Sequence, residues 1–301
     1  MTIKIVTDSA CDLPADIIQQ FDIRVVPLFI NIGNVSYQDG VDLSREEFYQ
    51  KLPEYSPAPK TAAPGPGQFQ KVYDELADQG ATAIISIHIS ESLSNTVEAA
   101  RLGAKDFTRI PVTVLDSRQL SLGAGLLVVT AAKAAADGKS VEEIVAILDE
   151  KTKRTYTFAA LDTLEYLRRG GRMSLAVASL GEILRIKPVL KMNDGKPTAE
   201  RVRTTRRAVE RLMELLKECQ PLEEVYMVHT YAEDKLEILR NEVKAIFPSQ
   251  TEVLAVPVTP VLGAHLGPGA YGFSFVSCRS EVCEPYSIME EVLRLARNIR
   301  G

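Results

Sequence analysis

Three short apolar runs, each ending in a cluster of small polar residues and each followed by a helix-like segment, constrain this chain more than any other feature. They are Ile3–Thr7 before Asp8-Ser9, Ala83–Ile89 before Ser90–Asn95, and Val112–Leu115 before Asp116-Ser117. Their β-branched content predicts strands. The intervening segments carry the helical period. Pro14 opens one with Ile17, Ile18 and Phe21, Phe69, Val72, Tyr73 and Leu76 share a face of another, and an alanine-rich stretch runs from about Leu120 to Ala136. Strands separated by helices join through right-handed crossovers into a parallel sheet covered on both faces. Such sheets bind ligands at the carboxyl ends of their strands, so the three polar clusters are expected on one rim.

The remaining punctuation is local. Ile23–Ile32 reads as one apolar strand before a Gly33-Asn34 turn, and Ser44 with Glu47 has the capping-box spacing. Ser56–Gly67 holds four prolines and two glycines and is expected to be a loop. Near residue 155 the pattern changes. Strands are predicted at Tyr156–Leu161, Ile186–Met192 and Lys196–Val202, the last two joined by an Asn193-Asp194-Gly195 hairpin. Further strands at Val225–His229, Val253–Pro257 and Tyr271–Val276 alternate with helices at Thr205–Glu218 and Glu233–Phe247. The expected fold class is α/β: a parallel-sheet α/β domain over residues 1–155, then an α+β domain over 156–301 with a mixed or antiparallel sheet. Met289, Val292, Leu293, Ala296 and Ile299 outline an amphipathic terminal helix, expected to dock on the fold.

Length and charge narrow the function classes. A chain of 301 residues accommodates two domains. A net charge of -5 argues against nucleic-acid binding driven by phosphate neutralisation. No apolar run approaches the ~18 residues of a membrane span, and the first residues read as a strand rather than a leader, so a cytoplasmic protein without stable membrane insertion is expected. Cys11, Cys219, Cys278 and Cys283 show no CxxC spacing and have no histidine nearby, which predicts buried free thiols rather than a disulfide framework or zinc site. With only His88, His229 and His265, no histidine-rich metal site is expected.

Several familiar strings fail on context. Gly267 to Gly272 matches GxGxxG but precedes a strand instead of opening a helix. Gly138-Lys139-Ser140 ends like a P-loop, but Lys133 occupies the upstream glycine position. No GxSxG elbow occurs. Ser92-Leu93-Ser94-Asn95-Thr96 follows a strand and opens a helix, a place suited to a carboxylate or phosphate, although capping by Ser94 alone would also account for a serine there. Arg168, Arg169 and Arg172 surround two glycines, and Arg201, Arg203, Arg206 and Arg207 form a second basic cluster. A solvated basic surface is the ordinary explanation for both. His265 lies in a stretch from Thr259 to Gly269 that is expected to be a loop, too glycine-rich to hide a core imidazole, and is open to proton or anion handling.

In this order and spacing the strings resemble the DegV family, fatty-acid-binding proteins that serve as the B subunit of bacterial fatty-acid kinase. The matching residues run from Ile5 to Ser9 and continue through Lys60-Thr61, Ser92–Thr96, Asp116–Gly123 and Leu164–Arg172. They end with Lys187-Pro188, Arg203-Thr204 and the Gly263-His265-Gly267-Pro268-Gly269 group.

The resemblance implies a long-chain fatty acid such as palmitate or oleate, its tail in an apolar tunnel of the second domain and its carboxylate at the domain interface. The ligand-binding residues it implies are Thr61, Ser94, Asn95, Arg172, Arg203 and His265, with no metal and no cofactor. A separate fatty-acid kinase subunit would phosphorylate the bound acid, making this chain a carrier rather than an enzyme. Two departures stand out: Ala62-Ala63-Pro64-Gly65 replaces the family's Ser-Gln-Pro-Ser, and Asn95 replaces its glycine. The alternatives are a serine hydrolase using Ser94 or Ser117 with His265, and a lipid sensor without a kinase.

Overall fold

The computed structural model describes residues 2–173, 186–246 and 253–278. β1 (Ile3–Asp8) leads through a 3-10 turn at Ser9–Cys11 to α1 (Ala15–Gln20), then to β2 (Arg24–Val26), β3 (Phe29–Ile32) and β4 (Val35–Gln38). α2 (Arg45–Lys51), β5 (Lys60–Ala62), α3 (Pro66–Asp78), β6 (Ala83–His88), α4 (Thr96–Lys105), β7 (Val112–Asp116), α5 (Ser121–Ala136) and α6 (Val141–Lys153) follow. Then come β8 (Thr155–Ala160), α7 (Glu165–Arg169), β9 (Lys187–Asn193), β10 (Lys196–Val202) and α8 (Thr205–Glu218). β11 (Leu222–His229), α9 (Glu233–Ile246), β12 (Ala255–Pro257), α10 (Pro260–Leu266) and β13 (Tyr271–Ser277) complete the described chain.

The expected parallel sheet forms in the order β2-β1-β6-β7, every pair parallel. The second half carries a six-stranded mixed sheet, β10-β9-β8-β13-β11-β12, in which only β11 and β12 run parallel. Residue 155 is the first residue of β8, the first strand of the mixed sheet in chain order.

Two local expectations are corrected. Ile23–Ile32 is not one strand: Pro27, which has no N–H to donate, separates β2 in the parallel sheet from β3 in a separate three-stranded sheet, β4-β3-β5. Ser56–Gly67 is not all loop, because Lys60-Thr61-Ala62 is a proline-free triplet that pairs antiparallel with β3, Ile30 opposite Thr61. The thiol expectation also changes. Cys11 is buried and free, its thiol pushed up to about 12 by burial, and Cys219 is free and half-buried. Cys278 is disulfide-bonded. The proposed terminal helix lies outside the described residues.

α5 ties the two halves together. It is apolar on every face, as a helix buried all round must be, and 12 of its 16 residues are buried. One side packs on β1 and β6, the other on β8, β11 and β13. A single core therefore runs from Ile5 through Leu126 and Leu127 to Val228 and Val276. Fully burying each such leucine is worth about 1.5–3 kcal/mol. The helix can sit this close because Gly125 lacks a side chain; a Cβ there would meet the Cys11 carbonyl oxygen at 2.6 Å.

Candidate functional site

A cavity of ≈ 130 Å³ opens between the mixed sheet, α10 and the rim of the parallel sheet. Leu28, Leu93, Leu167, Leu190, Met192 and Leu262 are among its walls. Its polar wall residues are largely occupied. Ser121 donates to Asp12, Thr157 donates to Gln119 Oε1 at 3.2 Å, and Thr230 donates to the Gly267 carbonyl at 2.7 Å. Those groups are satisfied internally and Lys191 is held by Glu200 at 2.6 Å, so the wall is largely apolar in effect, although the Tyr271 hydroxyl is buried on it without a partner.

Four of the six residues implied by the resemblance line this cavity: Thr61, Ser94, Arg172 and His265. β5 supplies Thr61. Strand alternation leaves Lys60 and Ala62 exposed and turns Thr61 inward. His265 comes from α10, not from the loop expected over Thr259–Gly269, because the glycines that break the backbone fall at its end. Pro260 suits the first helical position, and Gly267 at φ 75° ends the helix by donating its N–H to the Gly263 carbonyl at 2.8 Å. Thr61 Oγ1 and His265 Nε2 meet at 2.8 Å.

The imidazole is neutral. Burial, reinforced by the Arg172 charge, holds its pKa down to about 4. Its Nδ1 is buried without a hydrogen-bond partner and rests against Gly170, where a Cβ would collide with the ring. Gly170 is therefore needed for proximity rather than backbone freedom.

Arg172 follows α7, is half-buried and donates to the Gly170 carbonyl at 3.1 Å. Among the described residues no carboxylate pairs with it, whereas Arg168 and Arg169 both grip Glu165 and hold that carboxyl down to about 2. Arg172 is thus the cation left to the cavity. Ser94 does not cap α4. Its hydroxyl pairs with Thr96 Oγ1 at 2.8 Å, while Asn95 holds the N-cap position without a side-chain cap bond.

Two implied residues are not brought into the cavity. Asn95 is exposed at the N-cap of α4, and Arg203 is exposed just beyond β10. The rim also differs from expectation in detail. The three strand ends do converge, with Ser117 N–H donating to the His88 carbonyl at 3.0 Å and Ser90 N–H to the Gln119 carbonyl at 2.8 Å. Asp8 and Asp116, however, turn toward the loops. Asp8 accepts from the backbone of Ala10 and Ile89, and Asp116 from that of Arg118 and Glu91.

Asp8, His88 and Ser86 form a chain with the order of a catalytic triad, at 3.1 and 2.7 Å. All three are fully buried, and Ser86 also pairs with the Tyr73 hydroxyl at 2.9 Å. No substrate reaches that serine, so the chain is structural.

The DegV family profile, described as uncharacterised protein, DegV family, matches residues 2–277. The chain belongs to the DegV family. A DegV domain-containing protein of Caldanaerobacter subterraneus is 36% identical over 280 residues, covering 91% of this chain and 98% of the relative. A structure described as fatty acid binding of a DegV family protein from Thermus thermophilus superposes with a TM-score of 0.84 at 35% identity, covering 92% of this chain and 100% of that one. A stearic-acid-binding protein from Eubacterium ventriosum superposes with a TM-score of 0.81 at 27% identity, covering 92% and 98%. The DegV fold thus accounts for the pairing of a parallel with a mixed sheet. Among the described residues no helix is long and apolar enough to cross a membrane.

Proposed function

We propose that this chain binds a long-chain fatty acid, with the carboxylate at Thr61, Ser94, Arg172 and His265 and the tail along the apolar cavity. We further propose that it presents the acid to a separate kinase subunit for acyl-phosphate formation. The observation that carries the reading is the Thr61–His265 pair on the wall of a largely apolar cavity, with Arg172, which no carboxylate pairs among the described residues, on the same lining. That is the distribution of polarity a fatty acid has. About 14 methylenes at ~0.8 kcal/mol each make the transfer of a C16 tail from water worth ~11 kcal/mol, so the tail supplies affinity and the head sets orientation. The fatty-acid binding of the Thermus thermophilus relative supports the same ligand class.

The hydrolase alternative loses its base. His265 pairs with Thr61 rather than Ser94 or Ser117, no carboxylate orients its Nδ1, and a pKa of about 4 makes it a weak proton acceptor at neutral pH. The test is denaturing extraction of natively purified protein followed by mass spectrometry. Near-stoichiometric long-chain fatty acid is expected. No extractable lipid, together with no thermal shift on adding palmitate or oleate to stripped protein, would sink the proposal.

A further inference from the structure

We propose that Asp39, together with Asp12, positions His265 through the first turn of α10, and that carboxylate binding beside His265 depends on whether Asp39 carries its proton. The proposal rests on the fatty-acid reading above.

His265 stands near the end of α10, and the segment entering that helix is gripped by side chains of the first half of the chain. Arg45 Nη1 donates to the Pro257 carbonyl at 2.7 Å, and the Tyr49 hydroxyl donates to the Val258 carbonyl at 3.1 Å. Thr259 N–H donates to Asp12 Oδ1 at 2.7 Å, and Val261 N–H donates to Asp39 Oδ1 at 3.3 Å. Four contacts in five residues fix where α10 begins. A seven-residue helix then fixes where His265 ends up against Thr61.

The two carboxyls are not equivalent. Asp12 uses both oxygens, the second accepting from Ser121. Asp39 is 2% exposed; its Oδ1 accepts from Val261 N–H, its Oδ2 is buried without a partner of good geometry, and the Ser9 hydroxyl only partly eases the charge. The groups facing Asp39 are the Ser9 hydroxyl, the Asp12 carboxyl, and Arg45 and Tyr49 from α2, with the Val261 N–H from α10. Arg45 is the one cation among them, and Asp12 shares it. An oxygen that is neither solvated nor bonded favours the protonated acid. Burial, with Asp12 adding, pushes Asp39 up to about 7.

The consequence for the ligand follows from distance. Val261 and His265 are four residues apart, ~6 Å along the helix axis, and a carboxylate beyond the imidazole lies ~10 Å from Asp39. Across protein of intermediate dielectric, two negative charges at that separation repel enough to weaken binding about 3- to 10-fold. Linkage makes the effect reciprocal: a bound carboxylate raises the proton affinity of Asp39 by the same factor, so binding takes up a fraction of a proton near pH 7.

The experiment titrates lipid-stripped protein with a fluorescent polyene fatty acid between pH 6.0 and 8.5, and repeats it with Asp39→Asn and Asp39→Ala. Wild type should weaken about 3- to 10-fold as pH rises. Asp39→Asn keeps an oxygen for Val261 N–H and has no charge to gain, so its affinity should stay flat at the wild-type acid value. Asp39→Ala leaves Val261 N–H unpaired and should bind more weakly at every pH. An Asp39→Asn curve parallel to wild type overturns the inference and leaves the fatty-acid reading standing. No binding by wild type at any pH overturns that reading and the inference with it. Proton uptake, measured by calorimetry on wild type in buffers of different ionisation enthalpy, decides the question should either variant fold poorly: a positive fraction is expected near pH 7, and zero overturns the proposal.

Discussion

Thr61 Oγ1 and His265 Nε2 lie 2.8 Å apart although 204 positions separate them in the chain. The contact joins an edge strand of the three-stranded sheet to the helix that precedes β13, so a head-group site assembled there is a joint product of both halves. A carboxylate at this point would meet a hydroxyl, a neutral imidazole and the Arg172 guanidinium.

Loss of one hydroxyl should therefore weaken binding without abolishing it. A hydrogen bond to a charged group is worth about 1.5–3 kcal/mol, so Thr61→Val and Ser94→Ala should each reduce affinity roughly 10- to 100-fold while the tail keeps the ligand bound. Titration of lipid-stripped variants measures this directly. Affinity equal to wild type in either would remove that residue from the site.

Gly170 offers a test of the imidazole's position that removes no polar group. A Cβ at this residue would overlap the His265 ring and come within 3.2 Å of the Tyr166 carbonyl oxygen. Gly170→Ala should cost about 1–3 kcal/mol through overpacking, lowering both melting temperature and fatty-acid retention. The double variant Gly170→Ala/His265→Ala should recover the melting temperature but not the retention. No recovery would show that the clash is with the backbone and not the ring.

The sequence predicted more of the framework than of the site. Parallel strands were legible because β1, β6 and β7 are continuous β-branched runs that carry their own stop signals. β5 was not, since three residues between prolines have no period to read, yet pairing with Ile30 is what turns Thr61 inward. Ser94 was legible from its place after a strand. Asn95 and Arg203 followed from resemblance alone, and both are exposed outside the cavity lining. Asp12 and Asp39 could not be found from local pattern, because their contacts to Thr259 and Val261 span 247 and 222 positions. The disulfide at Cys278 was missed because scattered spacing carries no pairing signal.

Acid sensitivity should trace to His265. Its folded pKa of about 4 lies below the ordinary 6.5, so the unfolded chain binds the proton more readily between those values. The stability associated with the neutral ring is fully present above pH 6.5 and is lost as pH falls toward 4, by about 3 kcal/mol. His265→Gln has no proton to take up and should lose less stability over pH 6.5 to 4 than wild type in chemical denaturation. Equal losses would place the acid-labile group elsewhere.

The last prediction separates holding the fatty acid from handing it on. Arg203 is exposed and outside the cavity lining, so removing it should leave the lipid in place; its long guanidinium is instead available to a partner at the surface. A guanidinium is suited to the added charge of an acyl phosphate or of the transfer transition state. Arg203→Ala should thus retain fatty acid and melting temperature while losing at least tenfold in acyl-phosphate formation with a cognate kinase. His265→Ala, by contrast, removes a group that touches Thr61 and should lower retention and turnover together. Measuring extracted lipid, melting temperature and kinase-coupled turnover on both variants distinguishes these patterns. Wild-type turnover in Arg203→Ala would take that arginine out of the transfer step, and a parallel fall in lipid content would place it in binding instead.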